Sequence, residues 1–281
     1  ILCNSGNANT CNPNGIEIAE NCCALAAQST GLTPQDFIVA STGVIGQPMD
    51  ITPFALGVPM AANALSTSGN GAAADAIMTT DTVRKEVAVE FMLGGKACRM
   101  GAMGKGSGMI NPNMATMLIF ITTDAAIAPA LLQSALTEVT NATFNQICVD
   151  GDTSPNDMAA ILANGLAGNT PLTTLGADYD TFINARHEVC LHLSRAIAAD
   201  GEGATKLLEC VVSGAPSVAL ARSISKTVIA SDLLKAAMFG ADANWGRVLC
   251  AIGYTPGQFS IKKTSVSLQS AGGRVDVCKN A

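Results

Sequence analysis

Residues 105–125 read KGSGMINPNMATMLIFITTDA. The stretch passes from Gly, Ser, Asn and Pro into the apolar run Met117-Leu118-Ile119-Phe120-Ile121, whose length and β-branched content suit a fully buried strand. Thr116 stands at the junction, directly behind Ala115. A threonine hydroxyl is a weak nucleophile until a base takes its proton. If the peptide bond between Ala115 and Thr116 were cut, the new α-amine would lie beside its own hydroxyl. With a usual pKa of about 7.7–8.0, that amine would serve as the base near neutrality. Gly104, Gly106 and Gly108 upstream would permit the bent backbone that attack on the Ala115 carbonyl requires. On pattern alone, a plain loop entering a strand explains the same residues.

Three other segments have chemistry in them. In STGVIG, residues 41–46, Thr42 and Gly43 would set a hydroxyl beside a backbone N–H, the donor pair of an oxyanion hole; a strand closed by a glycine turn is the simpler alternative. Glu202 sits between two glycines in DGEGATK, either as a solvated turn carboxylate or as a clamp for a substrate ammonium. DGDTSPND, residues 150–157, is acidic enough for calcium, but Pro155 stands where a calcium loop needs Gly. It reads instead as a helix start, with Ser154 as N-cap, Pro155 at the first position and Asp157 in the first turn. No metal site is expected. His187 and Cys190 share a helix face, while His192 points elsewhere. The only Trp, Trp245, lies beside Arg247 and reads as a helix start.

These residues need a rigid frame. The 281 residues are 48% hydrophobic and 14% charged, so a large core is available. The net charge of −6 and the lack of any basic run argue against nucleic acid or anionic membrane as partners. No stretch of eighteen apolar residues is present. Most of the ten Cys fall inside apolar patterns with no C-x-x-C, so they are expected to be small core residues rather than bridges. The opening Ile1-Leu2-Cys3 lacks an initiator Met and reads as the middle of a strand, so the chain is expected to be part of a longer protein.

The spacing predicts helices over residues 15–29, 53–65, 129–147, 178–199, 231–239 and 245–252, together with the one begun by Ser154. It predicts strands at 37–42, 206–214, 265–269 and 274–278, and a hairpin turning at Gly94-Gly95 with Val87, Val89, Phe91 and Leu93 on one face. Helices and strands mix without strict βαβ alternation, which argues for an α+β fold.

The segments NSGNAN (4–9), STGVIG (41–46), IMTTDT (77–82), KGSGMINPNMATML (105–118), VDGDTSPND (149–157), GEGATK (201–206) and GADANWGR (240–247) occur in an order that resembles one family. It is the bifunctional ornithine acetyltransferase / N-acetylglutamate synthase of arginine biosynthesis. The resemblance implies a layered α/β sandwich of N-terminal-nucleophile type, self-cleaved between Ala115 and Thr116. The pieces, residues 1–115 and 116–281, would form one intertwined unit and assemble as two of each. Thr116 would take the acetyl group of N-acetyl-L-ornithine and pass it to L-glutamate, some members also using acetyl-CoA; no cofactor is implied. Thr42 and Gly43 match the oxyanion-hole pair. Thr79, Lys105, Thr116 and Glu202 match substrate-contact positions, a Lys suiting a carboxylate and a Glu an ammonium. Family members extend beyond both ends, and the C-terminal extension carries further contacts, an Asn and a Ser or Thr. The implied compartment is the cytoplasm, or the mitochondrial matrix in a eukaryote. An amidase or aminopeptidase on a related fold is the alternative, distinguished by water rather than glutamate as acceptor. An inactive relative would have lost Thr116, Thr42 or Gly43, and all three are present.

Overall fold

The computed structural model describes residues 1–111 and 117–281. Strand β1 (Leu2–Asn7) leads through helix α1 (Gly15–Thr30) to β2 (Val39–Val44), which pairs with β1 in parallel. Helices α2 (Thr52–Asn63) and α3 (Asn70–Ala76) follow. The hairpin of β3 (Lys85–Leu93) and β4 (Lys96–Lys105) turns at Gly94-Gly95, as its period-two pattern requires. Strand β5 (Leu118–Thr123) pairs antiparallel with β4 and parallel with β6 (Met158–Ala163), giving a four-stranded sheet in the order β3-β4-β5-β6. Between β5 and β6 runs α4 (Pro129–Ala142), and after β6 comes α5 (Ala177–Ala199). Helices α6 (Val218–Ala230), α7 (Asp232–Phe239) and α8 (Trp245–Gly253) and the hairpin β7 (Val266–Ser270)–β8 (Gly273–Cys278) complete the chain.

Alternation along the strands sorts the layers. On one face of the four-stranded sheet, Met100, Ile119 and Ile121 pack with Phe182, Val189, Leu193 and Ile197 of α5 and Val139 of α4. On the other face, Leu118, Phe120 and Ala160 meet Ala40 of β2 and Cys3 of β1. The far side of the β1–β2 pair, through Leu2 and Val39, meets Ile18 and Cys22 of α1 and Phe54 of α2. The order is therefore helices, sheet, sheet, helices. It is an α+β fold in which both faces of β5 are buried, which explains its unbroken apolar run.

Four expectations need correction. The segment after Ser154 is strand β6, not a helix. Ser154 Oγ accepts from the Asn156 amide at 3.2 Å, a local turn, and the short apolar run Met158–Ala163 lies along β5. Pairing with a buried strand overrides the helix preference of Ala, Leu and Met. Residues 206–214 are extended but join no ladder. The helix expected over 129–147 stops at Ala142, where Thr143 leaves helical geometry, and only a 3₁₀ turn, Phe144–Gln146, follows. The strand expected at 37–42 runs from Val39 to Val44 and so contains Gly43 rather than ending before it. Helices α3 and α6 lie outside the elements expected from the spacing, although Ser217 caps α6 by accepting from the Leu220 amide at 3.2 Å. Among the described residues the ten cysteines are unbridged, with Cys22, Cys98, Cys148 and Cys190 buried.

Candidate active site

Lys105 is the last residue of β4 and lies opposite Leu118, the first of β5. Its side chain shares the face of Met103, towards the β1–β2 pair. There the ammonium donates to Thr79 Oγ1 at 2.8 Å and reaches Thr42 Oγ1 at 3.5 Å, with Asp81 Oδ2 3.9 Å away. Only 3% of Lys105 is exposed. Burial pulls its pKa below the ordinary lysine value; Asp81 opposes this and Lys85 adds to it. An ammonium has donors only. The two threonine oxygens must accept from it, so their own hydroxyl hydrogens are left to point elsewhere, including at a bound anion.

Thr42 is buried within β2. Gly43 follows at φ +127°, and a Cβ there would fall 2.2 Å from the carbonyl carbon of Gly6, its register partner on β1. No side chain fits between the two strands at this point, so glycine is obligatory for the backbone approach.

Behind Lys105 lies a buried ion cluster. Lys85 Nζ donates to Asp81 Oδ1 at 2.7 Å, Asp200 Oδ2 at 2.6 Å and the Val83 carbonyl at 3.3 Å. Asp81 also accepts from the Gly106 amide at 2.7 Å and the Thr79 amide at 3.2 Å. Burial alone would raise the Asp81 carboxyl; the Gly106 amide and the Lys85 ammonium outweigh it and hold the group below its ordinary value. Asp200, at the end of α5, behaves alike: burial raises it, and Lys85 and Thr82 more than reverse the effect. Ser107 Oγ donates to the Asp200 carbonyl at 2.6 Å, and the Glu202 amide donates to the Ser107 carbonyl at 3.0 Å. The Glu202 carboxylate lies so close to Gly108 that a Cβ there would meet Oε1 at 2.2 Å.

Asp157 leads into β6. Both carboxyl oxygens are buried and neither makes a well-formed hydrogen bond among the described residues, although the Met117 amide lies near enough to pull on the group. Burial pushes the group up to about 8, against the pull of the Met117 amide and Lys105. It is therefore mostly protonated at neutral pH. Its neighbour Asn156 accepts from Thr10 Oγ1 and donates to Ser41 Oγ at 3.3 Å, joining β6 to β2 beside Thr42.

Thr42, Thr79 and Lys105 thus meet directly, Gly43 adjoins Thr42, and Glu202 is tied in through Ser107. Ala115 and Thr116 lie outside the described residues. Their chain neighbour Met117 is buried, and its carbonyl accepts from the Met158 amide at 2.9 Å. The sequence left Asp81, Lys85 and Asp200 unremarked and read Asp157 only as a first-turn residue of a helix. The signal was present for Lys85, which shares the strand parity of Val87, Val89, Phe91 and Leu93, a buried face. Among the described residues, no group of three His, Cys, Asp or Glu is arranged to hold a metal, and no helix is long and apolar enough to cross a membrane. Trp245 begins α8 as expected, with Asn244 as its cap.

The layers and this buried polar cluster at the head of an internal strand define an α+β protein with a site between two stacked sheets. The profile of the ArgJ family matches residues 1–281, and the chain belongs to that family. It is 52% identical over 260 residues to the arginine biosynthesis bifunctional protein ArgJ of Symbiobacterium thermophilum, covering 92% of this chain and 65% of that protein. It is 48% identical over 279 residues to ArgJ 1 of Clostridium acetobutylicum, covering 99% and 68%. The chain therefore spans about two thirds of the length of these relatives. A crystal structure of the ArgJ protein of Bacillus halodurans superposes with a TM-score of 0.52 at 49% identity, covering 53% of this chain and 70% of that one.

Proposed function

We propose that this chain carries the acetyl-transfer centre of an enzyme that moves the acetyl group of N-acetyl-L-ornithine to L-glutamate, with acetyl-CoA as an alternative donor. Thr116, freed by self-cleavage after Ala115, is the nucleophile. Its α-amine accepts the hydroxyl proton as the hydroxyl attacks the acetyl carbonyl. Thr42 and the Gly43 amide receive the developing oxyanion. Thr79, Lys105 and Glu202 grip the amino-acid substrate. The acetyl C–N bond breaks, the protonated α-amine returns its proton to the departing ornithine amine, and an acetyl ester is left on Thr116. The glutamate amine then attacks that ester, its proton passes through the α-amine to the threonine oxygen, and the hydroxyl is restored.

The observation carrying this reading is the buried Lys105 ammonium at Thr79 and Thr42, opposite the residue two positions after Thr116. The same register supports a cleaved yet intertwined pair. β4 ends before the cut and β5 begins after it, so their ladder joins residues 1–115 to 116–281. The stacked sheets between helix layers agree with a sandwich of N-terminal-nucleophile type. Assembly as two of each piece and a cytoplasmic location complete the proposal; no cofactor is invoked.

The test mixes the protein with N-acetylornithine and glutamate and follows ornithine and N-acetylglutamate. Scaling 28.5 kDa by residue number, denaturing gels should show pieces of about 12 and 17 kDa, and Thr116→Ala a single inactive band. Two pieces or full turnover from Thr116→Ala would overturn the nucleophile. Acetate released with glutamate unconsumed would make the protein a hydrolase.

A further inference from the structure

A fully bonded, buried charged side chain lies outside the candidate substrate contacts. Lys85 is completely buried at the start of β3, and its three N–H donors are all used, on Asp81, Asp200 and the Val83 carbonyl. One carboxylate partner, Asp81, is four residues away in sequence, and the other, Asp200, is 115 residues away. Each carboxylate collects further donors. Asp81 takes the amides of Thr79 and Gly106, and Asp200 takes those of Thr82 at 3.0 Å and Val83 at 3.4 Å together with the Thr82 hydroxyl. Burying such ions contributes little to stability when compared with apolar packing of the same volume. What a saturated ion cluster supplies is position.

The positions it holds are specific. Thr79 and Gly106, both bonded to Asp81, bracket the Lys105 ammonium, since Gly106 follows Lys105 and Thr79 accepts from it. Asp200 begins the turn that carries Glu202, and Ser107 stitches that turn to the end of β4 by bonding the Asp200 carbonyl and the Glu202 amide. An ammonium and a carboxylate are thereby held at the two ends of one short scaffold. The ligand class that such a pair takes is a zwitterion, with its carboxylate on Lys105 and its amine on Glu202.

We propose that Asp81, Lys85 and Asp200 are positioning residues that set the spacing between Lys105 and Glu202, and so select an α-amino acid of matching length. The proposal rests on the reading of Lys105 and Glu202 as substrate contacts. Its mechanism is geometric: small displacements of such contacts are costly. Because both contacts grip the substrate before and during reaction, a shifted spacing raises KM and leaves kcat nearly unchanged. A purely structural role would do the reverse, lowering the active fraction and hence kcat at constant KM.

The experiment uses Lys85→Met and Ser107→Ala in the full chain, with two readouts. The first is amide hydrogen exchange, which needs no enzymatic activity. In Lys85→Met the Gly106 and Glu202 amides should speed up together, by about tenfold or more, while the ladder amides of β3 and β4 stay protected. Exchange at one segment without the other would overturn the coupling. The second readout is kinetic. KM for glutamate should rise about tenfold with kcat within about twofold. A fall in kcat at unchanged KM would overturn the positioning role. If Lys85→Met loses ladder protection altogether, Ser107→Ala decides the matter, because it removes the hydroxyl bond to the Asp200 carbonyl and leaves the backbone acceptor of the Glu202 amide and every charge in place. Faster Glu202 exchange with raised KM supports the proposal, and no change in either refutes it. A wild-type protein without acetyl transfer would refute the proposed function alone, since the exchange readout still tests the coupling.

Discussion

Two regions of the molecule bury their apolar residues on different terms. In the four-stranded sheet with α4 and α5, residues such as Cys98, Met100, Ile119, Phe182 and Leu193 are wholly buried. In the region from residue 206 onward, Ile224, Val248 and Val266 of the smaller core each keep several per cent of their surface in contact with solvent. The extended residues 206–214 run between clefts of about 660 and 610 Å³, and Val211 is 91% exposed. Both regions have strand-like sequence. The first region gives each strand a hydrogen-bonded neighbour and a covered face, and the second leaves one extended run without a ladder. Apolar composition marks a segment for burial, but only a paired neighbour makes it a strand.

Substitutions sharpen this contrast. The largest effect is expected from Phe182→Ala, which empties the N-terminal part of α5 where it packs edge-on against Phe91. It should cost about 3–5 kcal/mol in urea unfolding, as for other large core truncations. A cost below about 1 kcal/mol would mean that the two cores are equally loose. Gly43→Ala comes next. Its Cβ would collide with the Gly6 backbone, so at least about 2 kcal/mol should be lost as β1 and β2 are forced apart. Full stability in this variant would show that the two strands can separate freely.

Arg186→Leu should act in the opposite direction. The side chain is fully buried in α5, and although Nη2 donates to the Leu136 carbonyl at 3.2 Å and the Cys190 thiol faces the guanidinium, Nε and Nη1 make no well-formed hydrogen bond among the described residues. Burial lowers its pKa. A leucine of suitable length should add about 1–3 kcal/mol, because two unsatisfied donors are removed from the better-packed region. Destabilisation would reveal a partner for this guanidinium. Asp157→Asn should give a smaller gain that depends on pH. The native carboxyl is raised to about 8, so the folded state holds its proton more tightly than the unfolded state. The stability due to the proton is complete below the unfolded pKa and is lost as pH climbs towards 8. The variant's melting temperature should therefore exceed that of the parent by more at about pH 9 than at about pH 5, and a constant difference would refute the assignment. The smallest effect is expected from Val211→Ala, within about 0.5 kcal/mol, since the side chain is already in water.

The sequence by itself determined the elements whose signals are local. The β3–β4 hairpin was legible because alternation and Gly94-Gly95 agree. Helix α5 was legible from its 3.6-residue period, and α7 and α8 from apolar patterns whose starts Ser231 and Asn244 cap. The run after Thr116 was recognisable as a strand because five apolar residues with β-branched members have few other uses. The ordered motifs also carried the family resemblance, and with it Thr42, Gly43, Thr79, Lys105, Thr116 and Glu202 as candidates.

Tertiary structure alone decided the rest. Met158–Ala163 became a strand because it pairs with β5, whereas residues 206–214 join no ladder although Cys210 and Val212 pack against the core that includes Val266. The convergence of Lys105 with Thr42 and Thr79 follows from the stacking of two sheets, which no local pattern encodes. The ion cluster of Asp81, Lys85 and Asp200 follows from the same cause. Strand parity placed Lys85 on the inward face of β3, but only the arrival of Asp200 at the end of α5 turns it into a buried cross-link. Local propensities amount to tenths of a kcal/mol per residue, whereas pairing and burial amount to about 1 kcal/mol or more, so the larger energies settle what the smaller ones leave open.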